Sequence, residues 1–400
     1  MIDFLQQLIR IKSLSPNDEG CFDLIEKELK ELNFKCERIN YKNVENLYAT
    51  IGDSGKLFCF LGHTDVVPSG PEDKWKYPPF SATIEQGILY GRGTADMKSS
   101  VAVFMESAKE FLKTIEKLNF RLAILLTSNE EGNSKDGFID KIVEKMIDDD
   151  EHIDFCLVGE PTSSKKVADC ARVGRRGSLG GKLKIFGKQG HIAYPENVIN
   201  PIFLSSDLIT KLKNKKWDNG NDIFDPTSFQ ISNISSGTGA HNVVPGNLEI
   251  IFNFRFSTES SEQSLKADFE SIINDLGINY ECEWDLNGDP YLTEENFFKD
   301  IVCSSVEDIT GYLPELNAKG GTSDGRFVAK MNTEIVELGP VNQSIHQVDE
   351  HVKISDLWKL KDIYKNILLK KTWISFISQK LIKIRQNIIE RKNLKILIKI

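Results

Sequence analysis

Apolar residues 57–61, 122–126 and 153–158, with the shorter stretch 334–338, lack the in-out alternation of half-exposed strands. Runs of this length predict strands buried on both faces, as in a parallel sheet. Residues 101–112 instead carry apolar positions at helical spacing. Helix and strand signals alternate from 1 to about 176, which predicts a three-layer α/β domain. The pattern then changes. Strands are expected at 179–186, 229–234, 248–256 and 279–284, and helices at 201–212 and 261–276. That β-α-β-β-α-β order is ferredoxin-like. Signals of the first kind resume and run to about 370. The expected architecture is therefore one α/β domain with a mostly parallel sheet (1–176 and 290–370), interrupted by an inserted domain (177–289), with an appendage at 371–400.

Candidate chemistry collects where the apolar runs stop. His63 follows the first run, Glu130 and Glu131 the second, and Glu160 the third, while His346 lies in the loop after the fourth. Asp96 opens the 101–112 helix. Open α/β sheets bind ligands at the carboxyl ends of their strands. Each of these residues except Glu130 is offered as a ligand for a divalent cation, and the imidazole–carboxylate mixture suits zinc or a similar first-row metal. The carboxylate left over is what an activated water needs as a general base. Read together, the six residues predict a two-metal hydrolase. Read singly they are blander: Asp96 could be a helix N-cap, Glu130–Glu131 a solvated acidic turn, and His63 a structural histidine. His152, His241 and His351 read as loop or surface residues.

Composition fits a globular enzyme. The chain has 400 residues, 40% of them hydrophobic, enough for two cores. A net charge of −9 argues against a nucleic-acid partner. Seven scattered cysteines, with no Cys-x-x-Cys pair, point to free thiols in a reducing cytoplasm. The N-terminus reads as an amphipathic helix and not a signal peptide, and no stretch is apolar enough to span a membrane. The 371–400 segment carries eight Lys or Arg against one acid, so the rest of the chain has a formal charge of −16. A basic amphipathic segment can bind an anionic membrane surface; the plainer reading is an appendage with no part in catalysis.

The motifs Gly62-His-Thr-Asp-Val-Val-Pro, Gly91-Arg-Gly-Thr-Ala-Asp-Met-Lys, Asn129-Glu-Glu-Gly and Gly159-Glu-Pro-Thr resemble those of the zinc-dependent amidohydrolases and exopeptidases that include carboxypeptidase G, acetylornithine deacetylase and the aminoacylases. The similarity covers 1–370. Gly174-Arg-Arg-Gly-Ser, Gly190-His-Ile-Ala-Tyr-Pro, Gly320-Gly-Thr-Ser-Asp-Gly-Arg-Phe and Gly339-Pro-Val-Asn-Gln-Ser-Ile-His resemble members that cleave an N-succinyl amino acid. The resemblance implies a catalytic domain with an inserted dimerisation domain, a homodimer, a small-molecule substrate and two divalent cations, Zn2+ first, with Co2+ or Mn2+ also accepted. It implies that Asp96 bridges both cations, that His63 and Glu160 complete one site, and that Glu131 and His346 complete the other. Glu130 would be the general base and Asp65 the carboxylate that holds the His63 ring. His191 would donate to the oxyanion across the dimer. The Asp96–Met97 peptide would be cis. Substrate carboxylates would meet Arg175, Arg176, Arg255 and Arg326, with one of the first two facing substrate. Ser178, Tyr194, Asn242, Thr322 and Asn342 would add neutral hydrogen bonds. The implied reaction is amide hydrolysis. The alternatives are another N-acyl amino acid deacylase or a dipeptidase of the same family, and, from another class, a non-catalytic binding protein.

Overall fold

The structure is a computed structural model that describes residues 1–132, 139–293 and 297–370. The expectation for the basic segment 371–400 lies outside the described residues. Strands β1 (Lys35–Arg38), β2 (Asn46–Ile51), β3 (Leu57–His63), β4 (Arg121–Thr127), β5 (Phe155–Val158) and β6 (Cys170–Arg172) precede the insert. The insert holds β7 (Gly177–Phe186), β8 (Ser228–Ser236), β9 (Asn247–Phe256) and β10 (Tyr280–Gly288), and β11 (Glu315–Asn317) and β12 (Glu334–Glu337) follow it. The central sheet runs β1-β2-β4-β3-β5-β12-β6-β11. The four apolar stretches are its adjacent, mutually parallel strands β4, β3, β5 and β12.

Their lack of alternation has a direct cause. Phe58, Phe60, Leu122, Ile124, Leu126, Phe155 and Leu157 point to one face, into a core shared with α1 (Ile2–Arg10), α2 (Cys21–Glu31), α3 (Lys98–Leu112) and two later helices. Leu57, Cys59, Leu61, Ala123, Leu125, Cys156 and Val158 point to the other face, under α4 (Ile139–Asp148). With helices on both sides, apolar residues face both ways along these strands.

The inserted sheet is antiparallel, in the order β8-β9-β7-β10, with α5 (Pro201–Asn214) and α6 (Glu262–Asp275) on one face. Here the period of two is plain. Leu248, Ile250, Phe252, Phe254 and Phe256 are buried, while Ile251 and Arg255 stand on the open face. The remaining helices are α7 (Phe297–Thr310), α8 (Gly325–Val328) and α9 (Ile354–Leu369). The fold is thus an α/β catalytic domain carrying a smaller inserted domain.

The chain leaves the central sheet through Gly174–Arg175 and returns through Tyr291–Leu292, and these segments pair as a short antiparallel ribbon. Glu337, at the end of β12 and fully buried, fastens the ribbon. Arg175 Nε donates to its carboxylate at 2.8 Å, Tyr291 Oη at 2.9 Å, and the Ser323 hydroxyl also donates. Arg175 Nη1 donates to the Gly321 carbonyl at 2.7 Å. The fork of Arg175 is therefore filled within the protein, where one of Arg175 and Arg176 was expected to face substrate. Removing one member of a buried ion pair leaves the other uncompensated and costs about 3–5 kcal/mol. Glu337→Leu should lower the unfolding free energy by about that amount in urea titration, with the slope against urea unchanged.

Candidate metal centre and active site

Each donor sits where the fold stops being regular. His63 ends β3, Glu130 and Glu131 follow β4, and Glu160 follows β5. Asp96 precedes α3 and its peptide to Met97 is cis, while His346 lies after β12 in the left-handed region (φ 60°). Met97 is the link between these pieces. Its methyl group fills the space where a Cβ on Gly62 or on Gly159 would sit, 2.6 Å from each. A side chain at either position would push Met97, and Asp96 with it, off the strand ends. Asp96 does not cap α3, because no side-chain cap bond forms there. Its carboxylate faces the imidazoles instead.

One oxygen goes to each ring. Oδ1 lies 3.3 Å from His63 Nε2, and Oδ2 lies 3.3 Å from His346 Nε2. Glu160 is 3.7 Å from His63 Nε2, and Glu131 is 2.7 Å from His346 Nε2. Donor atoms of His63, Asp96 and Glu160 come within 4.8 Å of one another, as do those of Asp96, Glu131 and His346. Glu130 borders both groups, within the same distance of His63 and Glu131.

Electrostatics fit cations here. His63 Nε2 and Asp96 Oδ1 are buried without a hydrogen-bond partner. Burial alone would lower the His63 imidazole, but Asp96, Asp65 and Glu160 hold it well above its ordinary value. His346, bonded to Asp96 and Glu131, is pushed up to about 10. Burial would raise Asp96, yet the facing imidazoles hold it low. Glu160 is pushed up to about 8 by burial and by Asp96. Glu130 is raised well above the carboxylate range by burial first and then by Glu160. A pocket that draws protons so strongly is one that lacks positive charge. The donor set fits divalent cations, and Asp96 belongs to both of its donor groups.

Asp65 does more than the expected ring-holding. His63 Nδ1 donates to the Asp65 carbonyl at 3.0 Å, with the carboxylate farther off at 3.5 Å. In the neutral ring this leaves Nε2 as the electron-pair donor. The Asp65 carboxylate accepts the backbone N–H of Glu130 (3.1 Å) and of Glu131 (3.0 Å), and the Ser15 hydroxyl. It ties the β3 loop to the β4 loop. Sequence reasoning missed Asp324. Burial raises this carboxyl to about 6, and its charge acts on Glu130.

Among the expected substrate residues, Arg176, Arg255 and Arg326 come together. Burial lowers Arg255, and the charges of Arg176 and Arg326 lower it further. Among the described residues none of the three has an acid within salt-bridge distance, and the Nε atoms of Arg176 and Arg326 are buried without a partner. The Arg326 stem crosses Gly288, where a Cβ would stand 2.9 Å from its Cδ. Ser178 pairs with both Arg255 and Gly288 in the inserted sheet, so it joins this group. Thr322 is in the loop that leads to Arg326. Asn342 is anchored through its backbone to Ser163 at 2.9 Å, four residues before His346. His191, Tyr194 and Asn242 lie together elsewhere, around a short bridge on the insert, all exposed. No hydrogen bond or ion pair joins them to the carboxylate cluster among the described residues.

Residues 59–370 match the profile described as Peptidase family M20/M25/M40. The chain is 49% identical over 370 residues to succinyl-diaminopimelate desuccinylase of Hydrogenovibrio crunogenus, covering 92% of this chain and 98% of that protein. It is 47% identical over 367 residues to the enzyme of the same name from Alkalilimnicola ehrlichii, with 92% and 98% covered. Among solved structures, an M20 family metallo-carboxypeptidase from Sulfolobus solfataricus superposes with a TM-score of 0.76 at 20% identity, covering 91% of this chain and 97% of that one.

Protein stripped by chelator and reloaded should hold two divalent cations per chain by elemental analysis. Glu131→Ala should lose one of them, whereas Glu130→Ala should keep both and lose nearly all turnover. The reverse pattern would exchange the two assignments.

Proposed function

The chain belongs to peptidase family M20/M25/M40, and on that footing we propose that it hydrolyses the succinyl amide of N-succinyl-LL-2,6-diaminopimelate. The products are succinate and LL-2,6-diaminopimelate, in diaminopimelate and lysine biosynthesis. The observation that carries this substrate is the group Arg176, Arg255 and Arg326, cations with no acid within salt-bridge distance among the described residues. A substrate with several carboxylates supplies what they lack, since a guanidinium can hold a carboxylate through two parallel hydrogen bonds.

His63, Asp96 and Glu160 would hold one cation, and Asp96, Glu131 and His346 the other. When bound, the cations supply Lewis acidity to the amide carbonyl and acidify the attacking water. Zn2+ suits the donors best, and Co2+ is also accepted. Glu130 takes a proton from the attacking water and returns it to the leaving amine nitrogen. Its carboxyl, raised by burial and by neighbouring acids, lies in the direction that a proton shuttle near neutral pH requires. Asp65 keeps Glu130 aimed by holding its backbone N–H.

We further infer a homodimer formed through the insert. Large apolar side chains stand exposed there, including Phe203 (75%) and Ile202 (44%) on α5 and Ile234 (53%) on β8. β8 is also an edge of its sheet, with one side of its backbone unpaired by other strands. His191 of the partner subunit would then reach the oxyanion. All seven cysteines are free, which supports a reducing cytoplasm.

A side-by-side assay tests the substrate. Succinyl-diaminopimelate should be hydrolysed far faster than acetylornithine or a dipeptide, and equal rates would overturn the reading. Arg255→Ala should raise KM for succinyl-diaminopimelate about 10–100-fold, as expected for a lost bond to a charged group, with metal content unchanged. Subunit exchange tests the dimer. His191→Ala and Glu130→Ala homodimers should each be nearly inactive, and mixing them should restore activity, because one site of the heterodimer is then intact. No recovery after confirmed exchange excludes the trans role.

A further inference from the structure

We propose that Glu350 is a positioning residue that holds Asp96 in place between the two cations; the proposal rests on the two-cation reading above. Glu350 is fully buried. Its Oε1 accepts the backbone N–H groups of Gly93 (3.1 Å), Ala95 (2.8 Å) and Asp96 (3.1 Å). Its Oε2 faces Arg92 Nη1 at 2.5 Å, and its carbonyl accepts the Gly91 N–H at 2.9 Å. The loop 91–96 is therefore curled around one carboxylate that is 254 residues from Asp96 in sequence.

The curl fixes the direction in which Asp96 points. Loop 91–96 has no strand partner, so three of its N–H groups depend on this one oxygen. Buried N–H groups left unpaired would force the loop to reshape. Arg92 is itself buried, with its second arm on the Pro68 carbonyl (3.3 Å) and its guanidinium 5.3 Å from the Trp75 ring centre. Glu350 thus has a fixed countercharge and is not a loose acid.

The segment that carries Glu350 also carries His346. It is fastened at both ends. Ser344 Oγ and the His351 backbone exchange hydrogen bonds (3.0 and 3.1 Å), and Asp349 accepts the Lys76 N–H at 2.6 Å. One short segment therefore grips Asp96 twice, through its backbone N–H at Glu350 and through its carboxylate at His346. Fixing a ligand's orientation through a neighbouring group typically contributes 10–100-fold in metal affinity.

A buried Arg–Glu pair could instead serve stability alone, and cobalt(II) separates the two roles. Cobalt is titrated into chelator-stripped protein, with binding followed by calorimetry and geometry by visible absorption. Wild type should bind two equivalents; fewer would sink the two-cation reading and not the role of Glu350. Glu350→Gln keeps the volume and one acceptor but turns an NH2 group toward Arg92. It should bind cobalt 10–100-fold more weakly, with an altered spectrum. Asp218→Asn is the control. In the insert, Asp218 accepts from Thr227, Ser257 and Ser260, so its loss should lower the melting temperature and leave cobalt affinity unchanged. Wild-type cobalt affinity in Glu350→Gln overturns the proposal, whatever its melting temperature. Should Glu350→Gln fail to fold, Arg92→Lys takes its place. It keeps the charge beside Glu350 but not the second arm, so a tenfold loss supports the proposal and wild-type affinity overturns it.

Discussion

Like charges forced together in a dry place are the constraint from which the rest of this structure follows. Asp96, Glu130, Glu131 and Glu160 crowd around two imidazoles at one end of the central sheet. Carboxylates removed from water repel strongly and seek protons or cations. The raised values of His63, His346, Glu130 and Glu160 are the signature of that demand. A scaffold that splayed under the repulsion would lose the site. The donors accordingly leave stiff parallel strands buried on both faces, and Asp65 holds the Glu130–Glu131 backbone with its own carboxylate. Met97 wedged against two glycines leaves the Asp96 loop no room to retreat.

Opposite charge is arranged one step away. Arg176, Arg255 and Arg326 gather where the two domains meet, contributed by both of them. Among the described residues no acid lies within salt-bridge distance of any of the three. The acidic centre and the basic group are complementary in charge: on the function proposed above, the first would hold the cations at the scissile amide and the second the carboxylates of the substrate. Glu337 fastens both strands of the connecting ribbon and the loop that leads to Arg326.

Much of this was legible in the sequence because it was local. Unbroken apolar runs announced strands with helices on both sides, and the β-α-β-β-α-β order after 176 announced the insert. His63, Glu131, Glu160 and Asp96 could be picked out because each followed or opened such a run. Glu350 and Glu337 carried no such signal. They are isolated acids whose partners, Arg92 and Arg175, lie 258 and 162 residues away, so only the folded chain reveals that they are buried and paired. The same distance explains why the Gly-Arg-Arg-Gly-Ser motif left open which arginine faces substrate: the partner of Arg175, Glu337, is far along the chain. Asp96 looked like a helix cap for a similar reason, since capping is a local preference and its real partners are far along the chain.

The order of strands in the central sheet has a consequence for how the chain comes off the ribosome. β12 lies in the middle of the sheet, between β5 and β6, yet it is synthesised after the whole insert. Until residue 337 has emerged, β5 presents an open, apolar edge, and the sheet is two unjoined pieces. The insert has its own core and can close while that gap remains. The last strand to arrive seals the edge, and the segment just behind it brings His346. The nascent chain thus cannot bring His346 to Asp96 and Glu131 before its sheet is whole.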